Sequence, residues 1–408
     1  MADTLVDATV QTNLNYRTLR LGPVWIDENT AYVVYTDDAL DLVYQKTGDG
    51  GATWGAPVLI RVGTVIKTSI WFDKWTPGDA GTKIHIAYMD STSDDVFYRS
   101  LNTSGDSLGS EITVFAGVSF NVGGNWTGAI VDITKARGGN LYIGFWGDAV
   151  GEFGFYRSDD AGATWNSRAQ LADGNAVDPI LLFPGNEADT QDIWCIYWDV
   201  DASEISLKIY DNSGDSWSET AIVGSMTFNS QLFPMSGATR ASDNHVILAA
   251  WTVYNNAAAD LVVWDIGGSG SLTAKTDVVT NLDDSALVAV FIDQQTDDIY
   301  VAYITGAVFP GTVDIKYKKS ADGGASWGAQ QDYSELAADN LRMVWAGMSV
   351  GTDGGKFQPA WFNDDLDDLY VNLVNDVDIA AGGGGGVPIP FPLRYDRQQS
   401  MPTFAPIL

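Results

Sequence analysis

The chain has one cysteine in 408 residues, two histidines, and only 22 basic side chains against 53 acidic ones. A single cysteine excludes an internal disulfide framework, so stability has to come from a packed core. Cys195 lies in Ile193-Trp194-Cys195-Ile196-Tyr197-Trp198, where a small buried side chain is expected rather than a reactive thiol. With only His85 and His245 available, a zinc site or a His-based triad is disfavoured, and both are read as core or hairpin positions. The net charge of −31 works against a nucleic-acid partner and against an anionic membrane surface, leaving cations and basic partners as compatible. No apolar run is long enough to cross a bilayer, and no Gly-x-x-x-x-Gly-Lys phosphate loop occurs. Met1 to Asp7 has neither a basic nor an apolar signal region, so no secretory signal is expected. The expected location is the producing cytoplasm, or a virion released from it by lysis.

What is plentiful is glycine (43) and tryptophan (15), set in turn clusters between short alternating runs, the pattern of an all-β protein. One stretch recurs. Lys46-Thr47-Gly48-Asp49-Gly50-Gly51-Ala52-Thr53-Trp54 returns as Arg157 to Trp165, with Asp159, Asp160 and Trp165, and as Lys319 to Trp327, with Asp322 and Trp327. Looser copies are Asn212 to Trp217, with Asp215 and Trp217, and Thr103 to Leu108, with Asp106 and no tryptophan. The Asp is suited to accept N–H groups of its own turn, the Gly to supply positive φ, and the Trp to fold beneath as an apolar plug. This Ser-x-Asp-x-Gly-x-Thr-Trp pattern resembles the Asp-box, or bacterial neuraminidase repeat. The resemblance implies a turn between the third and fourth strands of β-propeller blades, and it implies no particular activity.

In each repeat an inner strand is followed by a second strand ending in an acidic loop, and these second strands begin near Ala31, Ile84, Leu141, Ile193, Val246, Ile299 and Phe357, at intervals of about 52 to 58 residues. The expected fold is a seven-bladed propeller, with the six blades of sialidases as the alternative. The last unit lacks an Asp-box and a fourth strand, so an N-terminal strand at Ala8 to Leu14 is expected to complete it and close the ring. Residues 1–381 are assigned to the propeller and 382–386, five glycines, to a linker. Residues 387–408 form a Pro-rich, apolar arm with Phe391, Arg394, Tyr395, Arg397 and Phe404 as docking residues for a neighbouring subunit.

Connections between second and third strands should lie on the face opposite the Asp-boxes, and they are acidic: Asp37, Asp38, Asp94, Asp95, Asp199, Asp201, Asp364 and Asp365. They are read as a solvated acidic surface, with a Ca²⁺ site as the functional alternative; otherwise no cofactor is expected. The likeness to sialidases implies three arginines for a substrate carboxylate and a Tyr–Glu nucleophile, all on that face. Arg20, Arg61 and Arg342 could point there, whereas Arg99, Arg137, Arg157 and Arg240 face the other way. Arg20-Leu21-Gly22-Pro23 only distantly echoes that family's early arginine motif, and Tyr333-Ser334-Glu335 lacks geometric support as the nucleophile. The resulting expectation is a non-enzymatic structural or adhesive subunit, resembling accessory proteins of bacteriophage particles, which contacts other virion subunits and a host glycan. A sialidase-like or other glycoside hydrolase is the alternative, and a cytoplasmic scaffold the third.

Overall fold

The computed structural model describes residues 3–11, 19–118, 130–147, 152–171, 179–186, 190–199, 201–226, 235–253, 258–282, 287–306, 313–334, 349–350 and 357–372. They build seven small β-sheets arranged as a seven-bladed propeller, so the six-bladed alternative falls away. From the centre outward, blade 1 is Val24–Trp25, Ala31–Thr36, Leu42–Thr47 and Val58–Arg61. Blade 2 is Val65–Phe72, Lys83–Asp90, Asp95–Asn102 and Ile112–Ala116, and blade 3 is Ile130–Lys135, Leu141–Gly147, Glu152–Ser158 and Asn166–Ser167. Blade 4 is Ile180–Pro184, Ile193–Asp199, Glu204–Asp211 and Ser216–Gly224, and blade 5 is Met235–Arg240, His245–Trp251, Ala259–Ile266 and Leu272–Ala274. Blade 6 is Val288–Asp293, Ile299–Gly306, Val313–Ser320 and Gln331–Asp332, with Ser349–Val350 running parallel to its innermost strand.

Each second strand is apolar on both faces because a neighbouring blade covers each side. Ala31–Thr36 is buried at every position, and so is the innermost strand of blade 2, Val65–Phe72. The β-branched and aromatic residues that favour a pleated strand are the same ones that fill the space between blades. One large cluster joins blades 1 to 6, and a second, with Tyr35, Phe291, Tyr300 and Trp361, spans blades 6, 7 and 1.

Blade 7 is closed by both ends of the chain. Ala360–Asn363 pairs with Asp368–Asn372, which pairs antiparallel with Asp3–Asp7, setting Asp3 opposite Asn372 and Leu5 opposite Tyr370. The closing strand is therefore Asp3–Asp7, not Ala8 to Leu14 as the alternation implied. Asp7 explains the difference. One carboxylate oxygen accepts the Thr9 N–H (2.8 Å) and hydroxyl (2.9 Å), turning the chain, while the other accepts the Tyr35 hydroxyl and the Gln45 amide from blade 1. The strand must end where that seam is pinned, and Val10 then makes only a bridge to Asp37. The pentaglycine and the arm, with Phe391, Arg394, Tyr395, Arg397 and Phe404, lie outside the described residues.

Candidate functional site

The two faces of the ring are built differently. On one face the three complete repeats make the same turn. In blade 1 the Thr53 N–H and hydroxyl donate to the two oxygens of Asp49 (2.9 and 2.6 Å), and the Gly51 N–H donates to Thr47 Oγ1. Asp160 receives Thr164 in the same way (2.8 and 2.6 Å), and Asp322 receives Ser326 (2.9 and 2.5 Å). These hydroxyl and N–H donors hold all three carboxyls down at about 2. Asp159, adjacent to the capping residue, pairs instead with Arg157 at 3.0 Å. The turns also couple blades. Trp165 of blade 3 packs on Tyr98 of blade 2 with ring centroids 5.2 Å apart, and the Trp327 indole of blade 6 donates to the Thr276 carbonyl after blade 5. Trp54 packs into the cluster shared with blade 7.

In the looser copies the aspartates do other work. Asp211 caps the blade 4 turn by accepting the Ser213 and Gly214 N–H groups, and Asn102 accepts the Ser104 N–H in blade 2. Asp215 accepts the Tyr210 hydroxyl (2.8 Å) and the Ala169 N–H (2.9 Å) from the edge of blade 3, while Trp217 donates to the Ala169 carbonyl. Asp106 accepts from Tyr32 and from Lys46 (2.7 Å), both in blade 1. Asp106 and Asp215 are thus ties between blades, and the turn-capping task has moved to the residue that ends the third strand.

On the opposite face the acidic connections are mostly self-capped turns. Asp37 accepts the Ala39 and Asp41 N–H groups, Asp199 accepts that of Ala202, and Asp95 accepts that of Gly117. Asn363 accepts the Asp365 N–H, and Asp90 accepts those of Thr92 and Ser93. Asp94 takes a positive φ in its turn, and Asp38 donates its N–H to the Thr9 carbonyl. Asp201 and Asp364 sit in the equivalent turns of blades 4 and 7. Among the described residues no group of three or more His, Cys, Asp or Glu side chains could hold a metal ion.

The two described arginines assigned to this face, Arg20 and Arg61, are already engaged. Arg20 reaches into the ring and is buried. Its guanidinium donates to Asp132 of blade 3 (2.5 Å) and to the carbonyls of Ile133 and Leu182, and it lies over Trp71 and Phe183 at 5.2 and 5.3 Å. Asp132 also accepts Ser69 Oγ of blade 2 and the Leu182 N–H of blade 4. Burial lowers the Arg20 pKa and raises that of Asp132, and the ion pair opposes both shifts. Three blades and the segment ahead of blade 1 are joined at this one pair, which no spacing in the sequence revealed. Arg61 contacts Asp90 (3.3 Å) and Glu111 (2.5 Å) and stacks on Phe97 at 4.3 Å. Tyr333 is buried and donates to the Pro359 carbonyl, so it is a structural tie and not a nucleophile; Glu335 and Arg342 lie outside the described residues. Hydrogen-bonded Tyr–Glu pairs do exist, Tyr88–Glu111 (2.5 Å) and Tyr197–Glu219 (2.8 Å). Both occupy equivalent places within blades, and burial pushes the tyrosine hydroxyls well above their usual range.

His85 and His245 are core and hairpin residues of the Asp-box face. His85 lies between Asp73 (2.9 Å) and the Tyr98 hydroxyl (2.8 Å), and Lys135 reaches the same Asp73 oxygen at 2.5 Å. Burial lowers the His85 pKa. Burial alone would raise Asp73, but bonds from His85, Lys135 and the Lys83 N–H hold it far below the usual carboxylate range. His245 contacts Asp265 (2.6 Å) beside Arg240. Cys195 is fully buried, and burial pushes its thiol up.

No family model and no curated protein matches this chain. Solved structures do share its ring. A polysaccharide lyase, PL25 ulvan lyase, superposes with a TM-score of 0.58 at 12% identity, over 91% of this chain and 95% of that one. A structure titled as the same lyase bound to -[GlcA(1-4)Rha3S]- gives 0.57 at 12% identity, with the same coverage. The NanB sialidase from Streptococcus pneumoniae gives 0.50 at 12% identity, over 74% of this chain and 67% of that one. At such identities the likeness is one of fold. These neighbours are carbohydrate-active propellers, and the resemblance to bacteriophage accessory proteins finds no counterpart in them.

Proposed function

We propose that this protein acts on a glycan, a polysaccharide in the first instance, at the face of the ring opposite the Asp-box turns. The observation that carries the reading is the asymmetry between the faces. Asp-box turns are tied down by their own carboxylates and by the next blade, so that face is committed to holding the ring together. The connections of 12 or more residues between described strands, 8–23, 117–129, 168–179 and 333–348, all start at the end of a fourth strand and end at the start of an inner strand, at the other face. Binding and catalytic residues concentrate on such connections when a rigid scaffold positions them. By sequence these connections hold Trp126, Trp345 and Arg342, residue types that stack on sugar rings and pair with acidic sugars. Whole-ring similarity to a polysaccharide lyase supports the same reading.

A sialidase-type site is the less favoured form of this idea, because Arg20 and Arg61 are paired with carboxylates of the protein and Tyr333 is buried. The virion-subunit expectation draws no support from the neighbours. The test is a panel of neutral, uronate-containing and sialylated polysaccharides. It is read by new reducing ends, by ultraviolet absorbance of unsaturated uronate products, and by direct binding on a glycan array. Cleavage or binding lost in Trp126→Ala or Arg342→Ala is the expected result. Absence of both cleavage and binding across the panel would sink the proposal.

A further inference from the structure

Every large hydrophobic side chain that is exposed among the described residues lies on the two blades that meet at the closure of the ring. They are Leu5 (44% exposed) and Leu366 (53%) on blade 7, and Val58 (42%), Leu59 (45%) and Val62 (67%) on or just after the outermost strand of blade 1. The corresponding strand of blade 4, Ser216–Gly224, turns Ser216, Ser218, Glu219 and Thr220 outward instead. Single exposed apolar residues need no explanation, but confinement of all five to adjoining blades does. Among the described strands Val58–Arg61 pairs on one side only, with Leu42–Thr47; on it the Ile60 carbonyl accepts Arg99 of blade 2, and no other strand covers its outer edge.

We infer that this rim is the docking surface for the chain's own C-terminal arm, residues 387–408. The arm's chemistry matches. Val387, Ile389, Phe391, Leu393, Tyr395, Phe404, Ile407 and Leu408 make it apolar, and two arginines against one aspartate give it a charge of +1, leaving −32 on residues 1–386. Its starting point matches as well. The last described strand ends at Asn372, paired with Asp3, and Leu5 lies two residues further along that strand. At its other end Asp7 accepts Gln45 of blade 1, and the neighbouring Tyr44 pairs with Val58. Four strand residues and two lateral steps place the rim roughly 20 to 25 Å from Asn372. By length and composition, 14 residues such as 373–386, five of them glycine, can reach on the order of 20 Å, which suits that distance and would give the arm a local concentration in the millimolar range. Occupation by the same chain is therefore favoured over occupation by a second copy. This inference is independent of what the opposite face acts on.

The experiment uses the intact chain and trypsin cleavage after Arg394 and Arg397. Those bonds should be cut at least about 10-fold more slowly in the native protein than in the free peptide 387–408, at every protein concentration and with a monomeric mass by light scattering. The double variant Leu59→Asp/Val62→Asp, which alters only exposed side chains, should restore the peptide rate while the propeller keeps its far-ultraviolet spectrum. Phe391→Asp/Phe404→Asp should do the same from the other side. Cleavage of the native arm at the peptide rate would overturn the inference, as would protection unaffected by the rim variant. Protection that grows with concentration alongside a dimeric mass would also overturn it, by placing the arm on a second copy.

Discussion

Arg20 and Asp132 carry the largest single-residue consequence. Both are buried, and their pair ties the segment ahead of blade 1 to the inner strands of blades 2, 3 and 4. Arg20→Ala should cost about 3–5 kcal/mol, because it strands a carboxylate inside the ring. Arg20→Met/Asp132→Leu should recover most of that loss, and denaturant unfolding of the three variants checks the order. His85 has a pH consequence of definite sign. Its folded pKa lies below its ordinary 6.5, so the unfolded chain binds the proton first and stability declines as pH falls through 6.5. Asp73, Lys135, Lys83 and Tyr98 are the polar groups around it. His85→Gln should flatten the stability profile just below pH 6.5, and an unchanged slope would show that another group sets it.

At the scale of the element, the Asp-box is a rivet between blades as well as a turn. A Cβ on Gly162 would fall 2.2 Å from Cε1 of Tyr98, one on Gly51 2.8 Å from the Gln358 amide, and one on Gly324 3.1 Å from the flexible Lys275 chain. All three glycines have φ near +90°, so the backbone strain of an alanine is shared, and the neighbour sets the difference. Gly162→Ala should therefore destabilise most and Gly324→Ala least, as judged by melting temperature. The three capping aspartates also set part of the acid limit. With carboxyls held at about 2 against an ordinary 3.8, they stabilise the fold above pH 4, and that contribution is lost as pH falls toward 2. Replacing Asp49, Asp160 and Asp322 by Asn together should flatten acid unfolding in that window.

For the whole molecule, closure is the critical step, because blade 7 has no outer strand until Asp3–Asp7 joins it. Truncation of residues 1–9 should expose the edge of Asp368–Asn372, remove the Asp7 tie to Tyr35 and Gln45, and promote association or aggregation at the unpaired edge. Light scattering and hydrogen exchange across blade 7 would detect it. Asp7→Ala is the milder case, in which the strand stays paired but the seam to blade 1 loosens.

By itself the amino-acid sequence determined the all-β class, seven repeats, the positions of three complete Asp-boxes and closure of the ring by the N-terminus. Each follows from local chemistry repeated at a regular interval: a capping carboxylate, a glycine at positive φ, a tryptophan, and strands apolar on both faces. Only the tertiary structure decided which aspartates cap turns and which tie blades, since Asp106 and Asp211 both lie near turns but only Asp106 faces another blade's tyrosine and lysine. It likewise placed Arg20 in the core, against its apparent freedom to meet a substrate. The partner that sets that role, Asp132, is 112 residues away in the chain, and distances of that kind have no period for a sequence to display.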